Sequence, residues 1–253
     1  MRIVWEQRVA SSLSTAIVVC GHAVFTGADY RAATENDSWF LESYQRSPGQ
    51  AEALVAQMRR GVEALKANPR ALLIFSGGKT RADAGSVSEA TSYWQASRAL
   101  DWFGLDDDRD PLARRAFTEE HARDSLENAL FGIARFAELT GKAPRNLTVV
   151  GYEFKRERFE KAHRTAVRWP EERFTYLGTP AANAERDAES AASEVAVRAA
   201  FAEDPYACGE ALGAKRTGRD PFNVGHPYEG SNPDLVGLFR HCGTETFAGK
   251  LPW

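Results

Sequence analysis

Three short apolar runs in this chain each end on glycine: AIVVCG at residues 16–21, ALLIFSGG at 71–78 and NLTVVG at 146–151. Each is too short for a helix of ordinary length and is apolar throughout rather than alternating. Such runs read as strands covered on both faces. Between them lie segments of helical periodicity. In residues 50–68, Leu54, Val55, Met58, Val62 and Leu65 recur at helical spacing, and Asn68-Pro69 stops the run. Further helices are expected over 86–104, 124–141, 155–169 and 183–204, and further strands over 114–120 and 173–179. Strands alternating with helices of this length imply βαβ units and a parallel sheet. The expected fold class is therefore α/β: an open, doubly wound, mostly parallel sheet of Rossmann-like type over residues 1–204. Residues 205–253 are rich in Gly, Pro and Asn and read as a loop-rich extension packed on the same domain.

In such a sheet the ligand crevice lies beyond the carboxyl ends of the strands. That rule selects Gly21 and His22 after the first strand, and Ser76, Gly77, Gly78, Lys79, Thr80 and Arg81 after the second. It adds Glu119 and Glu120 after the third, and Gly151, Lys155 and Arg158 after the fourth. Two adjacent glycines let the backbone come close to a ligand, so their N–H groups can face an anion that Lys79 or Arg81 neutralises. A plain strand-to-helix turn with solvated cations explains the same residues. Ser86-x-x-Glu89 reads either as a capping box or as a glutamate facing the crevice. Asp124 and Ser125 are both good N-caps for the next helix. Asn128, one turn in, is a poor helix former and suits a ligand contact or a brace for a neighbouring loop. Cations at the start of the helix after residue 154 oppose its dipole, which is easier to understand if Lys155 or Arg158 meets an anion.

The formal charge is −3, from 32 Lys+Arg and 35 Asp+Glu, which gives no support for a nucleic-acid partner. No apolar run is long enough for a membrane span. The first 25 residues loosely imitate a signal peptide, with Arg2 and Arg8 ahead of an apolar stretch. Glu6 and Gln7 interrupt it, so a cytoplasmic N-terminus is expected. Three cysteines without CxxC spacing indicate neither a disulfide framework nor a zinc site, and point to a reducing compartment. The histidines show no HxxxH or HxH pattern, and no metal site is expected. His226, in the extension, belongs either to a segment that seals the core or to a lid reaching into the crevice.

The order of these motifs resembles the DUF218 family. IVVCGH, FSGG, SEA at 88–90, FTEE, SLEN and VVGYEFKRERF follow one another in the family's arrangement, from about residue 16 to 179. The resemblance implies a Rossmann-like fold and a crevice lined by Gly21, Ser76, Gly77, Gly78, Glu89, Asn128 and Arg158. One departure is plain: many bacterial members carry a histidine three residues before the arginine, where this chain has Lys155. S-adenosylmethionine is a cofactor the family brings into view. Besides a structural or interaction protein that uses the aromatic C-terminal extension, two readings of function follow. One is an enzyme acting on a phosphate- or carboxylate-bearing small molecule, with Glu89, Glu120 and His22 as its acid–base groups. The other is a nucleotide or S-adenosylmethionine binder without chemistry of its own.

Overall fold

A computed structural model describes residues 12–106 and 111–253; the flank carrying Arg2 and Arg8 lies outside them. Five parallel strands form the central sheet: β1 (Thr15–Cys20), β4 (Ala71–Ser76), β5 (Ala116–Glu119), β6 (Asn146–Tyr152) and β7 (Phe174–Thr179). Their order is β5-β4-β1-β6-β7. The chain winds outward from β1 through β4 to β5, then crosses back to β6 and β7 on the other side of β1. Val18 is level with Ile74 and with Val149. The order therefore reverses between β1 and β6, the topological switch point where open α/β sheets place their ligands.

Successive side chains on a strand point to opposite faces, and here both faces are covered. Ile17, Val19, Leu73 and Phe75 pack beneath α1 (Gln50–Ala67) and α2 (Glu89–Ala99). Val18, Ile74 and Val149 pack against α3 (Ser125–Thr140) and the C-terminal region. Uninterrupted apolar strands are the direct consequence of this double cover.

The helix starts differ in detail from the sequence expectation. The cap of α2 is Ser88, whose hydroxyl accepts from the Thr91 amide at 2.9 Å, so Ser86 and Glu89 form no capping box. Asp124 caps α3 by accepting from the Glu127 amide at 2.9 Å, and Gly141 closes it in the left-handed conformation. The single helix expected over 155–169 is a 3-10 turn, Glu153–Lys155, then a π-helical segment, Arg158–His163, running into the short α4 (Arg164–Ala166). A two-residue antiparallel pair, β2 (Val24–Phe25) with β3 (Trp39–Phe40), interrupts the first crossover.

After β7, the long α5 (Ala184–Glu203) leads into the extension. That region is less loop-dominated than its composition implies. It contains α6 (Glu210–Gly218), α7 (Tyr228–Ser231) and α8 (Val236–Phe239), and Tyr228, Leu235 and Leu238 are buried in the same core as β1. Cys208 and Cys242 are joined as a disulfide, leaving only Cys20 free, buried at the end of β1. This corrects the reading of three unpaired thiols. The partners are 34 residues apart and share no spacing pattern, so only the fold brings them together.

Candidate functional site

A cleft of about 490 Å³ opens at the carboxyl ends of β1 and β6. Of the candidate residues read from strand ends and helix starts, Gly21, His22, Thr80, Arg81, Glu89, Ser125, Asn128, Lys155 and Arg158 line it. Ser76, Gly77, Gly78, Lys79, Gly151, Glu119 and Glu120 do not.

The Ser-Gly-Gly turn works as scaffold. Both glycine amides are spent on backbone carbonyls: Gly77 donates to Glu119 at 3.0 Å and Gly78 to Ala122 at 2.7 Å. They therefore do not form the anion nest that the sequence suggests. The need for glycine is steric. A Cβ on Gly77 would lie 2.6 Å from Glu89 Oε2, and one on Gly21 would lie 2.6 Å from Glu89 Cβ. The two glycines make room for one carboxylate side chain. Ser76 is fully buried; its hydroxyl donates to Glu119 Oε2 at 2.6 Å and accepts from Asn128 Nδ2 at 3.0 Å. Asn128 also donates to the Ser76 carbonyl, so it braces the end of β4. Gly151 leaves space for the Tyr176 hydroxyl, which donates to the Tyr152 carbonyl at 2.7 Å. Glu120 accepts from the Ser88 and Thr118 hydroxyls, each at 3.0 Å, and ties the start of α2 to β5 outside the cleft. A catalytic role for Glu120 has no geometric support.

Glu89, the first residue of α2, is the carboxylate at the floor. It is nearly buried, and the Thr80 hydroxyl donates to its Oε1 at 2.5 Å. Its position follows from local sequence: Ser88 fixes the helix start, and the glycines at the ends of β1 and β4 let the side chain descend between them.

Lys155 lines the same cleft. Its Nζ lies 3.2 Å from His22 Nδ1 and beside the rings of Tyr152 and Phe154. Burial, and then the Arg158 guanidinium, lower its pKa to about 7. Burial also holds His22 well below the usual imidazole range, with Lys155 and Arg158 adding to the effect. A neutral imidazole whose Nδ1 accepts from the lysine is the consistent state. Its Nε2 is buried without a protein partner, and the ring stacks on Tyr152 with centroids 4.8 Å apart.

Arg158 begins the π-helical segment and is buried. The anion it meets belongs to the chain itself: Glu194 of α5, with Nε to Oε1 at 2.9 Å and Nη2 to Oε2 at 3.0 Å. Arg158 is therefore a cation already compensated. Arg81 is likewise paired, with Glu42 at 2.7 Å. Ser125 meets the buried His163, Oγ to Nε2 at 2.7 Å, and burial lowers the pKa of His163 to about 3.

Sequence reasoning missed the wall supplied by the extension. Lys215, Arg216 and Arg219 line the cleft from the far side. Arg216 pairs with Asp124 at 2.7 Å, whereas Arg219 donates only to the Arg123 carbonyl at 3.1 Å. The signal was the basic run KRTGR at residues 215–219. His226, the residue considered for a lid, packs instead against Phe131 and Tyr228. Among the described residues no cluster of three His, Cys, Asp or Glu side chains could hold a metal ion.

No helix among the described residues is long and apolar enough to cross a membrane. No family model matches the chain, and no solved structure matches it. It is similar to the uncharacterized protein YOR238W of Saccharomyces cerevisiae, at 28% identity over 197 residues. The match covers 62% of this chain and 65% of the yeast protein.

Proposed function

We propose that this chain is an enzyme acting on an anionic small molecule, phosphate- or carboxylate-bearing, within the cleft at the ends of β1 and β6. One observation carries the reading. Lys155 and Arg219 both line the cleft, and among the described residues neither has a carboxylate at ion-pairing distance. Uncompensated cations in a partly dry cleft favour an anion more strongly than the same charges in water. Glu89 lines the same cleft and is the group that orients water or accepts a proton, with Thr80 holding one oxygen in place. The resemblance to the DUF218 family supports the same location. The Cys208–Cys242 bridge favours an oxidising compartment over the cytoplasmic setting that the cysteine pattern suggests.

Thermal denaturation in the presence of inorganic phosphate, sugar phosphates and dicarboxylates tests the reading. A binding anion raises the midpoint by mass action, and Lys155→Ala abolishes the rise. For a substrate found in that panel, Glu89→Gln keeps the thermal shift and loses about 100-fold or more in turnover. No shift with any member at millimolar concentration overturns the proposal.

A second reading, binding of a nucleotide or S-adenosylmethionine without chemistry, has its own support. His22, Tyr152 and Phe154 form a continuous ring stack beside the cleft, with Tyr152 and Phe154 centroids 5.2 Å apart. Glu89 lies at the ends of β1 and β4, where a carboxylate can take a ribose diol. This reading expects Glu89→Gln to weaken binding of ribose ligands but not of their deoxy analogues, with no turnover in either case.

A further inference from the structure

We propose that Lys155 is an imine-forming lysine, and that the cleft takes small anionic molecules bearing an aldehyde or ketone. The inference rests on the anion-binding reading above and narrows its substrate class. The geometry carries it. Lys155 sits at the switch point of the sheet with part of its side chain open to the cleft. It has no carboxylate partner among the described residues; its nearest polar neighbour is His22 Nδ1 at 3.2 Å, an acceptor for an amine proton. The rings of Tyr152 and Phe154 lie beside it, with centroids 5.7 and 5.8 Å from Nζ. A lysine held in an apolar pocket beside other cations is the arrangement that frees an amine for attack.

Besides Glu89, which lines the same cleft, the groups with the largest effect on its charge can be named. His22 follows β1 and is neutral, and Cys20 at the end of β1 has its thiol pKa raised to about 12 by burial, so it is uncharged too. Arg158 from the π-helical segment and Arg219 from the extension repel the ammonium. Glu194 on α5 attracts it, but that carboxylate is committed to Arg158. With a pKa of about 7 the lysine is divided between ammonium and free amine near neutral pH, so it can hold an anion in one form and attack a carbonyl in the other.

The chemistry closes without a further reactant. The Nζ lone pair forms a C–N bond while the carbonyl π pair moves to oxygen. Nitrogen sheds one proton to His22 Nδ1, which passes it to that oxygen to give a hydroxyl. The second N–H proton reaches the hydroxyl by the same relay, and the hydroxyl leaves as water as the nitrogen lone pair closes the C=N bond. The sum is amine plus carbonyl giving imine plus water. An adjacent cation such as Arg219 holds the phosphate or carboxylate of the same molecule.

The test uses the intact protein with pyridoxal 5′-phosphate, an anionic aldehyde, and with pyridoxal, which lacks the phosphate. Borohydride reduction fixes any imine, and peptide mass mapping locates it. Lys155 should label at least about tenfold faster at pH 7 than the exposed, ion-paired Lys161. Its rate should rise with a midpoint near 7, and phosphate should accelerate it. Equal rates with both aldehydes at Lys155 would sustain the reactive lysine and overturn the anion-binding reading. Labelling of Lys155 no faster than Lys161 overturns the lysine inference, whatever phosphate does to the melting midpoint. His22→Asn, checked by circular dichroism for an unchanged fold, should slow the reaction at Lys155 alone; an unchanged rate removes His22 from the step.

Discussion

Glu119 is fully buried at the end of β5, yet it accepts four hydrogen bonds. The Ser76 hydroxyl donates at 2.6 Å and the Tyr228 hydroxyl at 3.1 Å, and the His121 and Ala122 amides donate at 2.8 and 3.3 Å. The bonds favour the ionised carboxylate, but burial outweighs them and raises its pKa from 4.5 to about 7. The sign of the consequence is definite. Between those values the native state holds a proton that the unfolded chain has lost. The stability linked to Glu119 is complete below about pH 4.5 and is gone once pH has risen through about 7. The difference amounts to about 3 kcal/mol at 1.36 kcal/mol per pKa unit. In Glu119→Gln, which does not titrate, urea unfolding midpoints should decline less between pH 4.5 and 7 than in the parent protein. Parallel pH profiles for the two proteins would show that Glu119 is not the group responsible.

At the scale of elements, the long periodic segments were legible because their signals are local. The helix at residues 50–68 is observed as Gln50–Ala67, and the one at 183–204 as Ala184–Glu203. Glycine or a short polar residue marks most of these boundaries, and such residues act within one turn of the chain. What the sequence hid was long-range. The β2–β3 pair is too short to carry an alternation. Arg158 looks like a free cation until Glu194, 36 residues on, is folded against it. The Gly77 and Gly78 amides look free until β5 brings Glu119 and Ala122 alongside. The disulfide belongs to this hidden class too. Cys208 precedes α6 and Cys242 follows α8, so the bridge closes the part of the extension that presents Lys215, Arg216 and Arg219 to the cleft. By the chain-entropy estimate a loop of that length contributes about 3–4 kcal/mol. Cys208→Ser should therefore lower the urea midpoint markedly, and reductant should lower it in the parent protein but not in the variant. Insensitivity of the parent to reductant would mean that the bridge carries no stability.

On the scale of the whole molecule, the extension is both core and wall, and these roles are not separable. Tyr228, Leu235 and Leu238 are each about 2% exposed and share the cluster containing Val18 and Ile74. Tyr206 donates its hydroxyl to the Ala166 carbonyl at 2.9 Å and accepts from the Phe247 amide at 2.8 Å. Trp253 packs on Trp169 with centroids 5.1 Å apart. Burying a large apolar side chain is worth roughly 1.5–3 kcal/mol, and a whole domain is stable by only about 5–15 kcal/mol. Removing several such residues together is enough to cancel that margin. The same cut also strips Glu119 of the Tyr228 hydroxyl. A chain ending at Thr217 should therefore express as aggregate, or as a compact species that binds hydrophobic dye and lacks a cooperative melt. A detachable lid makes the opposite forecast: a soluble monomer with an unchanged melting midpoint and a weakened response to anions. The burial pattern favours the first outcome, because the residues after Thr217 that fill the core, Tyr228, Leu235 and Leu238, lie within a few turns of Arg219, which lines the cleft. A soluble, cooperatively melting truncation would mean that the β-sheet and the helices before Thr217 bury enough surface by themselves, and the segment after it, with Arg219, would then be an accessory to an independent domain.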